Sequence, residues 1–198
     1  MHSSKAIEPL TKRAMQWTLL LSILLSVGCA HMQLPAYPPG NDSSTRLLQG
    51  SGKIAVEPFS AAPGIRDQGL SVRGSPVDGA ADGRFSTYVH DALVSELDTA
   101  HRFDSASPVR ISGELTRNTL DGSGVSKGTA RVGVRFTVTR NGQPVYTRDI
   151  DVSHEWESSF IGMIAIPAAV QNYVTTVQKL LGKLISDEEF TRATTSSP

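Results

Sequence analysis

The chain has 198 residues, 19 basic against 19 acidic side chains, 39% hydrophobic residues and a single cysteine. Without a basic excess there is no electrostatic footprint for nucleic acid, and one cysteine allows neither a disulfide framework nor a cysteine-rich zinc site. Once non-globular ends are set aside, about 150 residues remain, enough for one domain with its own core.

At the N-terminus, Lys5, Lys12 and Arg13 precede an apolar stretch from about Met15 to Val27. A charged start, a short apolar middle and small residues before a cleavage point make a secretory signal, and the stretch is too short for a comfortable membrane span. The point falls at Cys29, and Leu25-Ser26-Val27-Gly28-Cys29 resembles the lipobox of bacterial lipoproteins, with Ser26 where leucine is usual. The resemblance implies that residues 1–28 are a lipoprotein signal peptide. It also implies that Cys29 becomes the mature N-terminus and carries diacylglyceryl and a further acyl chain such as palmitate. Ala30 follows rather than an aspartate, which by the enterobacterial rule implies the periplasmic face of the outer membrane. Each buried lipid methylene contributes about 0.8 kcal/mol, so several chains hold a protein firmly where one does not. The 170 residues left after cleavage carry 16 basic and 18 acidic side chains.

Residues 29–52, interrupted by Pro35, Pro38, Pro39 and Gly40, read as the lipidated N-terminus and a flexible linker. Residues 53–190 read as a single α+β periplasmic domain, and 191–198 as a disordered polar tail. Within the domain, Lys53 to Phe59 is a short β-branched run closed by proline, hence a strand. Ser60 to Gly83 holds five glycines and two prolines and reads as a mobile surface loop, in which Arg66, Asp67, Arg73, Asp78 and Asp82 gather into no recognisable site.

From Phe85 to Ala100 the apolar residues step by three and four, predicting a helix with Asp82 as its N-cap. Val109 to Leu115 and Ala130 to Thr139 alternate as half-buried strands. Asn141-Gly142 marks a hairpin. A plain two-residue turn would turn Tyr146, Ile150 and Val152 away from the core. A three-residue loop with Gly142 left-handed is expected instead, pairing Phe136 with Tyr146, Val132 with Ile150 and Ala130 with Val152. Phe160 to Val170 leads into a second helix running to about Glu189, with Pro167 in its first turn. The sum is a small antiparallel sheet of about four strands with two helices packed on one face.

Residues suited to chemistry are sparse. Gly122 to Thr129 looks like a phosphate loop, but Lys127 precedes Gly128 and a strand follows, so it reads as a flexible connection. The histidines lack metal-site spacing. His154-Glu155-Trp156-Glu157 flanks an aromatic ring with two carboxylates, a pattern used on sugars, yet both carboxylates fall on one strand face where solvated charges are the commoner case. No catalytic, cofactor or metal residues are expected. Phe160, Ile161, Met163 and Ile164 belong to an apolar segment whose expected role is core packing; if exposed, they would form a surface for a partner or the bilayer.

The lipobox, the proline-rich stretch, Asn141-Gly142-Gln143 through the strand to His154, then Ala169-Val170 and the long last helix, together resemble outer-membrane lipoproteins of the YajG type. Transport-auxiliary and lipopolysaccharide-assembly lipoproteins share similar layouts. The resemblance implies a lipid-anchored, non-enzymatic protein attached to the membrane through Cys29. Such a protein would bind an envelope protein, not identified by the sequence, as an accessory component of a transport or assembly system. A small envelope enzyme or glycan-binding domain, using the Ser60 to Gly83 loop and the His154 to Glu157 strand end, is the alternative.

Overall fold

The computed structural model describes residues 32–195; the expected signal peptide over residues 1–28, Cys29 and the last three residues lie outside them. In chain order the elements are β1 (Met32–Gln33), α1 (Asn41–Leu48), β2 (Ala55–Val56), β3 (Ser60–Ala61), β4 (Leu70–Val72), β5 (Ser75–Asp78), α2 (Phe85–Thr99), β6 (Val109–Asp121), β7 (Lys127–Arg140), β8 (Gln143–Glu157), α3 (Gly162–Ile185) and α4 (Glu188–Thr194). The fold is α+β. β6, β7 and β8 form an antiparallel meander, and β2 and β3 run parallel to β6 along its free edge, so this sheet is mixed rather than purely antiparallel. Pro58, which has no N–H to give to a ladder, lies in the break between β2 and β3, so the strand expected over Lys53 to Phe59 is shortened to Ala55–Val56 and pairing resumes only at Ser60. A second, three-stranded sheet orders β1, β5 and β4.

One sheet face carries the core. Val132, Val134, Phe136 and Val138 of β7 meet the buried stripe Tyr173, Val174, Val177, Leu180, Leu181 and Leu184 of α3, whose three-four spacing is that of a helix with one apolar face. Phe85, Val89, Leu93 and Leu97 supply the matching stripe of α2. On the opposite face Arg135 bridges Glu114 and Asp149, and Arg117 pairs with Asp151. These are half-exposed cross-strand pairs that each contribute at most about 1 kcal/mol.

Two bulges set which residues face inward. The register shift at Thr116 changes the phase of β6, so that Val109, Ile111 and Leu115 point to the core before it and Asn118 and Leu120 after it. The alternation read from sequence therefore stops at Leu115, although the strand continues to Asp121. In the β7–β8 hairpin the expected register is corrected. Arg140 pairs with Gln143 across a two-residue turn, with Asn141 at φ 52° and Gly142 at φ 79°. The extra residue is Val145, between Pro144 opposite Thr139 and Tyr146 opposite Val138. Val134 then meets Ile150 and Val132 meets Val152. The apolar residues keep the core face, but the correction sits in the strand rather than in the loop, because a turn with both central residues left-handed matches the strand twist. Nothing lies within 4 Å of a Cβ built on Gly142, so Gly142→Val is expected to cost more than about 1 kcal/mol through backbone strain alone and Gly142→Asn clearly less. Urea unfolding of the two variants checks this, and equal losses would contradict it.

The ends of the domain differ from expectation. Residues 32–48 are not a free linker: Leu34 and Leu47 are buried in the core, β1 pairs with β5, and Tyr88 and Gln178 donate to the carbonyls of Pro35 and Pro38. Their prolines and polar residues hid a few widely spaced anchors. At the other end, the second helix stops at Ile185, Asp187 caps α4 by accepting from the Glu189 amide, and Phe190 and Thr194 are buried. Residues 191–195 are thus no disordered tail. Arg102, itself buried, donates to the carbonyls of Ser51, Gly52 and Thr194, and Arg140 to those of Ala193 and Thr195. Pro167 lies six residues into α3, not in its first turn.

Candidate functional site

Of the residues offered for chemistry at the end of β8, His154, Glu155 and Trp156 are engaged in structure. His154 lies between Asn172 of α3, Nε2 to Oδ1 3.0 Å, and Lys179, Nδ1 to Nζ 2.8 Å. Glu155 pairs with Lys127 across the strands. The Trp156 ring packs on Gly128, where a Cβ would come within 2.4 Å of it. Glu157 sits exposed opposite Lys127. No nucleophile and base are brought together here, and among the described residues no group of three or more His, Cys, Asp or Glu is placed to hold a metal ion.

The segment from Ser60 to Gly83 is built, not mobile. β4 and β5 form a hairpin whose turn residues Arg73 and Gly74 have φ 52° and 80°. Arginine rarely occupies the left-handed region, and such strain persists only where the surroundings over-determine it. Its side chain supplies the reason. Nε donates to the carbonyl of Gly122 (2.9 Å), Nη1 to Phe160 (2.7 Å), and Nη2 to Gly124 (3.0 Å) and Ser159 (2.7 Å). One planar fork thereby ties the β4–β5 turn to the β6–β7 connection and to the chain between β8 and α3. Further along, the Asp67 carboxylate accepts from both the amide and the hydroxyl of Ser86 at the start of α2. Asp82 is not the N-cap, a position held by Arg84; its carboxylate accepts from the Arg84 amide and the Thr87 hydroxyl instead. The Arg84 amide holds the Asp82 carboxyl below its ordinary range.

What Arg73 fixes in place is an apolar ridge. Phe160 and Met163 are 79% and 86% exposed, Ile161 and Ile164 53% and 56%, and Val125 on the adjoining connection 67%. The expectation of core packing for this segment is corrected, since only from Ala165 onward do residues of α3 turn into the core. The backbone beneath is well bonded: Ser158 donates to the Ser126 carbonyl, and Ile161 N–H to the Ser159 hydroxyl. Gly122 to Thr129, read as a flexible connection, does join two strands, but its carbonyls are held from two sides. A group of large apolar side chains held outward on a bonded backbone is unusual on the surface of a monomeric protein.

A second polar cluster ties down the N-terminal arm. Glu96 of α2 has no exposed surface and accepts from the Tyr37 hydroxyl (2.7 Å), the Gly40 amide (2.9 Å) and the Ser44 hydroxyl (3.4 Å). Burial, followed by the bond to and the charge of Glu96, pushes the Tyr37 phenol well above its ordinary range. Glu96 stands three residues after Leu93 and four before Ala100, on the buried stripe of α2, where an unpaired carboxylate is costly; that misfit is the sequence signal for a buried polar anchor.

No family model matches the chain, and no curated protein does. Similar solved structures include protein XCC0632 of Xanthomonas campestris, of family DUF330, with a TM-score of 0.54 at 17% identity, covering 81% of this chain and 92% of that one. Others are the hypothetical protein CT253 of Chlamydia trachomatis, TM-score 0.45 at 13% identity over 72% and 99% of the two chains, and a minor lipoprotein of Acinetobacter baumannii, TM-score 0.38 at 10% identity over 73% and 99%. At these identities the likeness to the Xanthomonas protein shows a shared fold.

Proposed function

We propose that this chain is a lipid-anchored protein of the bacterial envelope that acts by contact rather than catalysis. It is held by Cys29 on the periplasmic face of the outer membrane and binds an envelope protein as an accessory component of a transport or assembly system. The lipobox at Leu25 to Cys29 and the resemblance to lipoproteins of the YajG type support the anchor. The observation that carries contact over catalysis is the ridge, in which Val125, Phe160, Ile161, Met163 and Ile164 stay outward while Arg73 holds their backbone; the protein partner itself is what the resemblance to accessory lipoproteins implies, and its binding surface is separate from the ridge. By contrast, of the His154 to Glu157 strand end that a small enzyme or glycan-binding domain would use, His154, Glu155 and Trp156 are each taken up by a structural neighbour, and Glu157 is left exposed.

Complementation separates the two readings. In cells lacking the protein, a variant carrying His154→Ala, Glu155→Gln and Glu157→Gln together is expected to restore growth under envelope stress to within about twofold of the unaltered protein, since exposed ion pairs contribute little. Loss of complementation by a variant that accumulates normally would overturn the contact reading in favour of chemistry at that strand end. Crosslinking probes spread over the exposed surface of the same protein would identify the protein partner by a recurrent adduct.

A further inference from the structure

We infer that the ridge is seated in the lipid surface that holds the anchor, so that the domain meets the bilayer through Phe160, Ile161, Met163 and Ile164. This rests on the lipid-anchored reading and adds an orientation to it. The first argument is the direction in which the chain enters the fold. β1 runs parallel to β5, with Met32 opposite Val77 and Gln33 opposite Asp78. β5 begins beside the Arg73–Gly74 turn and runs away from it, so the chain enters β1 from the side of that turn. Val77 is three residues from Gly74, about 10 Å along a strand, and Arg73 bonds directly to the backbone of the ridge. Cys29 precedes Met32 by three residues, which span at most about 11 Å of chain. A lipid on Cys29 therefore keeps this end of the domain, rather than the far β7–β8 turn, beside the membrane.

The second argument is composition. From Ser158 to Gln178 there is no charged residue, and none occurs from Gly122 to Ser126. Arg73, which bonds the backbone of the ridge, is taken up by four carbonyls, and Lys127 is paired with Glu155. The ridge itself presents apolar side chains and neutral polar backbone, and charge begins only at its edges, with Asp121, Lys127 and Glu157; an uncharged apolar crest of this kind suits a shallow contact with lipid better than with a charged protein surface. Among the described residues no helix is long and apolar enough to cross a membrane, so the contact lies on the bilayer and does not span it.

Spin-label depth measurement on the full-length lipidated protein, reconstituted into phosphatidylethanolamine–phosphatidylglycerol vesicles, tests this. With Cys29 acylated, a cysteine introduced by Met163→Cys is the sole free thiol; Asn141→Cys, on the turn about 40 Å away along β7, is the aqueous reference. The oxygen-over-chelate collision ratio is expected to be at least about threefold higher at 163 than at 141, as for a side chain below the headgroups. Vesicle-bound protein with equal, water-like ratios at both positions would overturn the orientation while leaving the anchor intact. A label at 163 shielded from both reagents would place a protein surface, not lipid, on the ridge and overturn it as well. Failure of the protein to float with the vesicles would overturn the anchor and, with it, the inference.

Discussion

Replacing Arg73 with alanine is expected to destabilise the folded protein by about 2 kcal/mol and to free the ridge. Hydrogen bonds from a charged donor are worth roughly 1.5–3 kcal/mol each when buried, and Arg73 makes four. The guanidinium is only partly enclosed and the released carbonyls regain water, so the net effect falls well below the sum. The local effect is larger: the amides from Gly122 to Ser126 and from Ser158 to Ile164 are expected to lose most of their hydrogen-exchange protection, while those of β7 keep theirs. Arg73→Lys should recover little, because an ammonium on a flexible stem cannot reproduce a planar fork. Arg73→Gly relieves the positive φ of 52° and is expected to sit between alanine and the native residue in stability, yet to loosen the ridge as fully as alanine. Urea unfolding and exchange mass spectrometry read both quantities. A loss below about 0.5 kcal/mol with unchanged exchange in the two connections would show that Arg73 merely decorates the turn.

Where one physical rule governed a long segment, the fold was readable from the residues alone. The three-four stripes of α2 and α3 and the alternation of β7 each bury one face of one element, so local pattern and final structure agree. Gly142 announced its turn for the same reason. The misses came where a distant contact decided. A bulge at Thr116 inverts the alternation of β6 midway, and one at Val145 moves the hairpin register, while nothing in either strand's own pattern requires the extra residue there. Residues 32–48 read as a linker because Leu34, Tyr37 and Leu47 are too sparse to make a period; the partners that hold the segment lie far along the chain, Asp78 for Leu34 and Glu96 for Tyr37. For the site, composition flagged Phe160 to Ile164 but assigned it to the core. Exposure is a property of where the chain is placed, and the residue that places it, Arg73, stood unremarkably among glycines in what read as a mobile loop.

Cys29→Ser is expected to have the largest effect in the cell, because it removes the anchor while leaving residues 32–195 untouched. Three acyl chains, at about 0.8 kcal/mol per buried methylene, hold a protein on its membrane essentially irreversibly, whereas one chain alone binds only marginally. The ridge offers four side chains, each worth about 1.5–3 kcal/mol on full burial, and a shallow contact realises only part of that. In the proposed arrangement it would orient an anchored domain and would not retain a free one. The direct measurement is metabolic labelling with palmitate followed by separation of inner membrane, outer membrane and soluble periplasm, for the native protein and Cys29→Ser side by side. The native protein is expected to carry label and to fractionate with the outer membrane, and the variant to carry none and to appear as soluble protein or uncleaved precursor. An unlabelled native protein, or a Cys29→Ser variant still processed and retained in the outer membrane, would contradict the account.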